Sequence, residues 1–462
     1  MKIESFCHQN TEGLNFFTRR LSNLLVDFFS KSTLEICARK SGFVQRNSKL
    51  KAWMFIDVLL FQMNSSKEVS LLSICNALFM RFGIKISKQS INERFNEHSV
   101  FFLKELLHDA LSRLTFTHFK LPVFKEFTEV NVKDSTRFGL PSNMKNLYPG
   151  NNTKTSESVA NLQLQYDLKT NTINELSIQP NTENDYKNAH STIDDIKKGS
   201  LIVRDLGYVS VDLMQKIDQK EAFYLNRIKP QTSIYEKKDG KYIKLSLKGI
   251  RLSLKKSGKL IVAKDVFIGH RKYHPCRIII SLIPEEKAKI RRQKQKRKSQ
   301  KRGAKTTNPN VLALADLNIF VTNTTEKQLP IIQVYNIYKL RWQIELIFKS
   351  WKQVYKFHNI KEVKPERLET MLFAQILWVV INWSIISIYT NYFFIDRHKY
   401  LSFYKACKTL QTLIYEIRHS VYQKSKLKEL FKRIEDVFSM GHFKDKRKGV
   451  VFSEEILLQN TI

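Results

Sequence analysis

The sequence predicts an α+β protein of several domains, helical at both ends, with a mixed α/β core and a strand-rich block between. Three observations predict it. The chain has 462 residues, more than a single hydrophobic core supports. Apolar residues recur at helical spacing over 13–120 and 366–440 and alternate through much of 126–283. Hydrophobic residues make up 42% of the chain, enough to bury cores.

Four regions follow: a helical N-terminal region (1–122), a core (123–230 with 311–365), a β-rich insertion with a basic segment (231–310), and a helical C-terminal region (366–462). In the first, Leu71–Phe82 is apolar at helical spacing, Gly83 supplies a break, and Ser87 can cap a second helix. That pair resembles a helix–turn–helix. Its second helix carries Lys88, Gln89 and Arg94, side-chain types that reach base edges and phosphates, although many helical hairpins share the pattern.

The core begins with EFTEVNVKD (126–134), which alternates, ends at Asp134 and gives way to a polar loop. ANLQLQYDL (160–168) and INELSIQP (173–180) form a hairpin over KTNT. A helix over 184–198, the strand SLIVRD (200–205) ending at Asp205, a helix over 209–220 and a strand over 221–229 complete the order. The insertion reads as strands over 235–269, with turns at Asp239-Gly240 and Ser257-Gly258, and over 274–283. A basic run follows, with eleven Lys or Arg between Lys287 and Lys305, Arg291, Arg292 and Arg297 among them, and no acid. Such a run reads as a solvated or disordered segment that contacts polyanions. LNIFVTN (317–323) is the last strand, and the tail from 442 reads as loose.

Charge narrows the function. Lys and Arg number 78 against 43 Asp and Glu, a formal net charge of +35. That excess suits a polyanionic partner, and nucleic acid is the commonest. Five scattered cysteines without a CxxC pair argue against a disulfide framework and against structural zinc. They suit a reducing cytosol, and the N-terminus lacks an apolar signal core. Residues 371–389 are uncharged and long enough for a membrane span. Polar Gln375, Asn382, Ser384 and Ser387 within them favour a buried core helix instead.

The segment YKLRWQIELIFKSWK (338–352) reads as one helix. Tyr338, Arg341, Glu345 and Lys352 fall within about 60° of one another on it. An Arg–Glu pair on a solvated face accounts for two of them only. With Asp134 and Asp205, Glu345 makes a set of three carboxylates without a His or Cys partner, which suits hard cations such as Mg2+ or Mn2+. Singly, each Asp also reads as a turn residue.

Together these residues resemble the DDE transposases of bacterial insertion sequences, in the subgroup with a Tyr-x2-Arg-x3-Glu-x6-Lys signature. Tyr338, Arg341, Glu345 and Lys352 match it at full spacing, Asp134 in VNVKDST resembles the first catalytic Asp, and Asp205 in LIVRDLGY the second. The resemblance spans roughly 125–390. It implies a ribonuclease H-like core interrupted by a β-rich insertion. It implies Asp134, Asp205 and Glu345 as catalytic metal ligands for two Mg2+ ions, with Mn2+ able to substitute. Tyr338, Arg341 and Lys352 would contact DNA. The expected activity is cleavage at the element's terminal inverted repeats and joining to target DNA, by a homodimer in a synaptic complex. The expected setting is the bacterial cytoplasm, on the nucleoid and without membrane association. Some members use a tryptophan of the insertion to hold a flipped base. Here no Trp lies within 206–337, and Tyr235, Tyr242, Phe267 or Tyr273 are the candidates. The alternative is a transposase-derived DNA-binding protein that has lost catalysis.

Overall fold

A computed structural model of the chain describes residues 4–445, apart from 63, 65–68, 116–124, 151–156, 229–231, 302, 304, 305, 308 and 358–360. The expected loose tail, apart from 442–445, and part of the basic run therefore lie outside the described residues.

The helical N-terminal region holds α1 (Glu4–Phe28), α2 (Lys31–Lys40), α3 (Ala52–Asp57), a π turn (Val58–Gln62), α4 (Leu71–Phe82), α5 (Lys88–Glu93) and α6 (Glu97–Leu114). The core begins with β1 (Val130–Leu140), β2 (Ser158–Asp167) and β3 (Ile173–Pro180). It continues with α7 (Asp185–Ser191), β4 (Leu201–Arg204), α8 (Val211–Gln219) and β5 (Phe223–Arg227). The insertion contributes β6 (Ile234–Lys238), β7 (Lys241–Lys244), α9 (Leu247–Ser257), β8 (Ile261–Ile268), β9 (His274–Leu282) and α10 (Glu285–Lys301). After α11 (Pro309–Leu314) and β10 (Leu317–Thr322) come α12 (Ile331–Leu340) and α13 (Trp342–Tyr355). The chain ends in α14 (Pro365–Arg397), α15 (Phe403–Thr412), α16 (Ile414–Ser420) and α17 (Lys424–Gly441).

By contact the chain forms two compact units. Among the described residues, the first falls within 1–121, 136–182 and 345–450, and the second within 122–135 and 183–344. The boundary falls within β1, which belongs to both.

In the first unit β2 and β3 pair antiparallel, Leu162 opposite Ile178. α14 is the core of this unit. Its most apolar 18-residue window is 89% buried, in line with a core helix over 371–389. Trp378 packs edge-on against Phe61 at 5.9 Å and Trp383 against Tyr166 of β2 at 5.4 Å. The Trp383 indole donates to the Asn171 carbonyl at 2.8 Å, so the hairpin is fastened to the helix. The α4–α5 pair is capped as the sequence suggests. Gly83 ends α4 at φ 70°, and Ser87 accepts from the Ser90 amide at the start of α5.

In the second unit β4 lies parallel to both β1 and β5. β10 is antiparallel to β5 and to β9, β8 pairs with β9, and the β6–β7 hairpin closes the edge through Asp239 and Gly240, both at positive φ. From β1 onward the strand order is 1-4-5-10-9-8-6-7, so the insertion's strands continue the sheet beyond β10. Its core is mainly aliphatic: Ile202, Leu213, Ile217, Ile278, Ile280 and Val321 are buried together, with Tyr224 among them.

Four local expectations are corrected. β1 does not stop at Asp134 but continues to Leu140, because Phe138 and Leu140 keep one face buried while Arg137 and Gly139 are exposed. The helix expected over 184–198 spans only Asp185–Ser191. Residues 247–257, expected as strand, are α9, since Leu247 and Leu254 are buried two turns apart, Ser246 caps the start and Gly258 (φ 68°) the end. The basic run is not disordered over its described part but helical over Glu285–Lys301, with most of its cations exposed as a solvated segment would have them, and Asp316 explains its docking. That carboxylate is 2% exposed, accepts from Arg251 at 2.8 Å and from Arg292, and pairs with Lys255 at 3.4 Å.

Candidate active site

Parallel pairing of β1 and β4 sets the position of the two aspartates. The register runs from Val130 opposite Leu201 to Lys133 opposite Arg204. The next residue on each strand is Asp134 and Asp205. Alternation places Asp134 on the face of Val132 and Asp205 on the face of Val203, on strands about 4.8 Å apart. Apolar β-branched residues behind them are fully buried, so the two carboxylates are held side by side at the end of a rigid ladder. Asp205 also starts the 3-10 turn Leu206–Tyr208.

Like charges at this spacing repel, and the chain supplies donors to both. Arg341 donates to Asp134 Oδ2 at 2.6 Å, with the two side chains 12% and 18% exposed. The Ser135 amide donates to the other oxygen, Oδ1, at 2.8 Å. The Tyr338 hydroxyl donates to Asp205 Oδ1 at 3.1 Å, and its ring packs on Phe320 of β10. Burial and the charge of Asp205 push the Tyr338 phenol above its ordinary range, so it stays protonated and a donor.

The stripe expected on a single helix is split. Helix α12 ends at Leu340, Arg341 forms the joint, and α13 starts at Trp342. The Arg341 and Ile344 amides bond three residues back, which tightens the chain there. Tyr338 and Arg341, one turn apart, thus reach the two aspartates.

Glu345 stands in the first turn of α13, half-buried. Lys352, further along α13, donates to the Arg137 carbonyl at 2.9 Å, and burial lowers its pKa. Among the described residues no three His, Cys, Asp or Glu side chains are grouped closely enough to hold a metal ion. Asp134 and Asp205 fit a hard divalent cation as donors, being carboxylate oxygens alone and adjacent.

The remaining predicted DNA-contacting residues differ in availability. Lys88 and Gln89 are exposed on α5, and Arg94 is half-buried at its end. Arg291 is turned inward, donating to the Asn318 side chain at 3.1 Å and to the Leu317 carbonyl. Arg292 pairs with Asp316 and Glu285. Arg297 is exposed. Tyr235, Tyr242, Phe267 and Tyr273 form one cluster, in which Tyr242 and Tyr273 stack at 3.8 Å.

Sequence reasoning missed Asp185. It is the first residue of α7 and accepts from the Ser135 hydroxyl at 2.7 Å. Asn184-Asp185 reads locally as a helix cap, and only the fold brings it beside β1.

Comparison with known proteins gives the family. Residues 125–381 match the family described as Transposase DDE domain. The chain is 28% identical over 431 residues to the transposase for insertion sequence element IS231B of Bacillus thuringiensis subsp. berliner, covering 88% of this chain and 87% of that one. It is 28% identical over 390 residues to the transposase for IS1151 of Clostridium perfringens, covering 81% and 82%. A solved piggyBac transposase synaptic complex with hairpin DNA aligns over 93% of this chain and 87% of that one at 12% identity, with a TM-score of 0.40. With the family domain spanning more than half its length, the chain belongs to the DDE transposases of bacterial insertion sequences.

Proposed function

We propose that this transposase cuts the ends of its own insertion sequence and joins them to target DNA with Asp134, Asp205 and Glu345 as its catalytic acids. The observation that carries the reading is the in-register pair Asp134 and Asp205, each held by a residue of the Tyr338–Arg341 turn. Dependence on divalent metal comes with the family, and the use of two Mg2+ ions, with Mn2+ as substitute, is our extension. When bound, such ions activate the attacking oxygen and stabilise the leaving one.

In-line phosphoryl transfer leaves the protein mainly positioning and charge to supply. Asp134 and Asp205 present fixed oxygens from a rigid sheet. Glu345 adds the third acid from the first turn of α13. Tyr338 and Arg341 belong to the Tyr-Arg-Glu-Lys subgroup signature, and we assign them the phosphates of the DNA end, with Lys352 further along the same strand. Arg341 therefore serves both as partner to Asp134 and as phosphate ligand. The exposed Lys88 and Gln89, with Arg94, contact end DNA from the 1–122 region. The 231–310 region contributes Arg297 and the tyrosine cluster, which can stack on an unpaired base. Arg291 and Arg292 act chiefly by seating α10. We further propose a homodimeric synaptic complex acting on terminal inverted repeats in the bacterial cytoplasm, at the nucleoid and away from membrane.

Cleavage and strand transfer on the element's own end DNA test the reading. Wild type is compared with Glu345→Ala, with Mg2+ and with chelator. We expect nicking and joining that chelator and the substitution each abolish, with end binding retained. Binding without any chemistry in the wild type would support instead an inactive DNA-binding protein. Chemistry that survives Glu345→Ala would remove Glu345 from the set.

The two kinds of arginine on α10 separate in a second measurement. Arg297→Ala should weaken DNA binding uniformly across sequences and lower the magnitude of the salt slope by about 1. Arg292→Ala should instead lower thermal stability, because the buried Asp316 loses a partner.

A further inference from the structure

We propose that Asp185 is a positioning residue that fixes the two chain segments carrying Asp134 and Asp205. The proposal rests on the reading of those two aspartates as catalytic. One carboxylate touches both segments. Its Oδ1 accepts from the hydroxyl of Ser135 at 2.7 Å, and Ser135 is the neighbour of Asp134 whose amide holds the Asp134 carboxylate. Its Oδ2 lies against the turn after Asp205, where a Cβ added at Gly207 would meet it at 3.1 Å. Glycine at 207 thus allows the close approach.

Tyr208 completes the arrangement. It is 1% exposed, hydrogen-bonded to Ser135, and raised in pKa first by burial and then by Asp185 and Asp134. Ser135 is therefore a node between Asp134, Asp185 and the turn at 206–208. An acid placed near two others adds repulsion, so mere filling of this space would favour a neutral residue. An acceptor for Ser135 that also rests on the Gly207 turn accounts for the position. Residues that orient a cation's ligands without touching the cation typically change affinity or activity by about 10–100-fold when removed.

The test uses the full-length protein carrying Asp185→Ala, Asp185→Asn, Ser135→Ala, Ser135→Ala with Asp185→Ala, and Asp134→Asn as control. Three quantities are read: the single-turnover cleavage rate on end DNA, the end-DNA dissociation constant, and Mn2+ binding followed by electron paramagnetic resonance. We expect Asp185→Ala and Ser135→Ala each to slow cleavage and weaken Mn2+ binding about 10–100-fold, with DNA affinity unchanged. The double variant should be no worse than either single one, because both act through one hydrogen bond. Asp185→Asn, which keeps an acceptor for Ser135, should restore most of the loss and melt like wild type. Cleavage and Mn2+ binding unchanged in Asp185→Ala, while Asp134→Asn abolishes cleavage, would overturn this proposal alone. Fully additive losses, or Asp185→Asn as impaired as Asp185→Ala, would also overturn it. Cleavage that survives Asp134→Asn would overturn both it and the reading beneath it.

Discussion

Asp134→Asn and Asp205→Asn are each expected to reduce cleavage and strand transfer about 10³-fold or more while leaving end-DNA binding and the fold intact. Each substitution keeps the shape of the side chain and its ability to accept a hydrogen bond from Arg341 or Tyr338. What it removes is one negative charge at the point where a cation must be held. Such a cation contributes several kcal/mol to the transition state, and each ~1.4 kcal/mol is tenfold in rate. Stability should change little. The two carboxylates on adjacent strands repel, which favours neutralising one, while at Asp134 the substitution also removes the charge that Arg341 pairs with. Cleavage kinetics and a thermal melt on the same preparations check both halves. A variant that loses activity and stability together would mean that the aspartates brace the sheet rather than serve the reaction.

How far the site was legible in the sequence depends on the range of the interactions. Asp134 and Asp205 could be found because strand patterning is local: Asp134 ends an alternating run and Asp205 a short apolar one. Their adjacency could not, since it depends on the parallel register of β1 and β4, set by pairing across 70 residues. Tyr338, Arg341, Glu345 and Lys352 were found through spacing, but the break at Arg341 was not, because 338–352 contains no Gly or Pro to mark it. What ends α12 is a tightened turn, not a helix-breaking residue. In 247–257 the Leu and Ile positions satisfy period two and period 3.6 nearly equally, and capping by Ser246 and Gly258 decides for helix. The basic run carries no sign of its anchor, because Asp316 is distant in sequence and Arg251 shares it. Asp185 was invisible for the same reason. Its role exists only once Ser135 and Gly207 stand beside it.

The second large effect is expected far from the chemistry, at Asp57, where Ala should destabilise the first unit by about 3–5 kcal/mol. In sequence Asp57 is a lone acid in the apolar run MFIDVLLF. In the fold its side chain is fully buried at the end of α3, beside the π turn. Arg81 donates to it at 2.9 Å, Arg418 at 2.8 Å and the Tyr422 hydroxyl at 2.9 Å. Arg81 also donates to Gln62 at 2.7 Å, which ties the π turn to α4. The two guanidiniums are only 13% and 14% exposed, so removing the carboxylate strands two cations where water reaches them poorly. Breaking a buried ionic cluster from one side costs more than the cluster itself contributes, because the charges left behind stay desolvated. Asp57→Asn keeps two polar atoms for the same partners and should lose less than Asp57→Ala. Urea unfolding followed by tryptophan fluorescence reads the difference, since Trp378 packs on Phe61 beside this cluster. The midpoint should fall with the slope unchanged. A midpoint equal to wild type would mean that the arginines find water or other acceptors, and that the joint between α3, α4 and α16 is held by apolar packing alone.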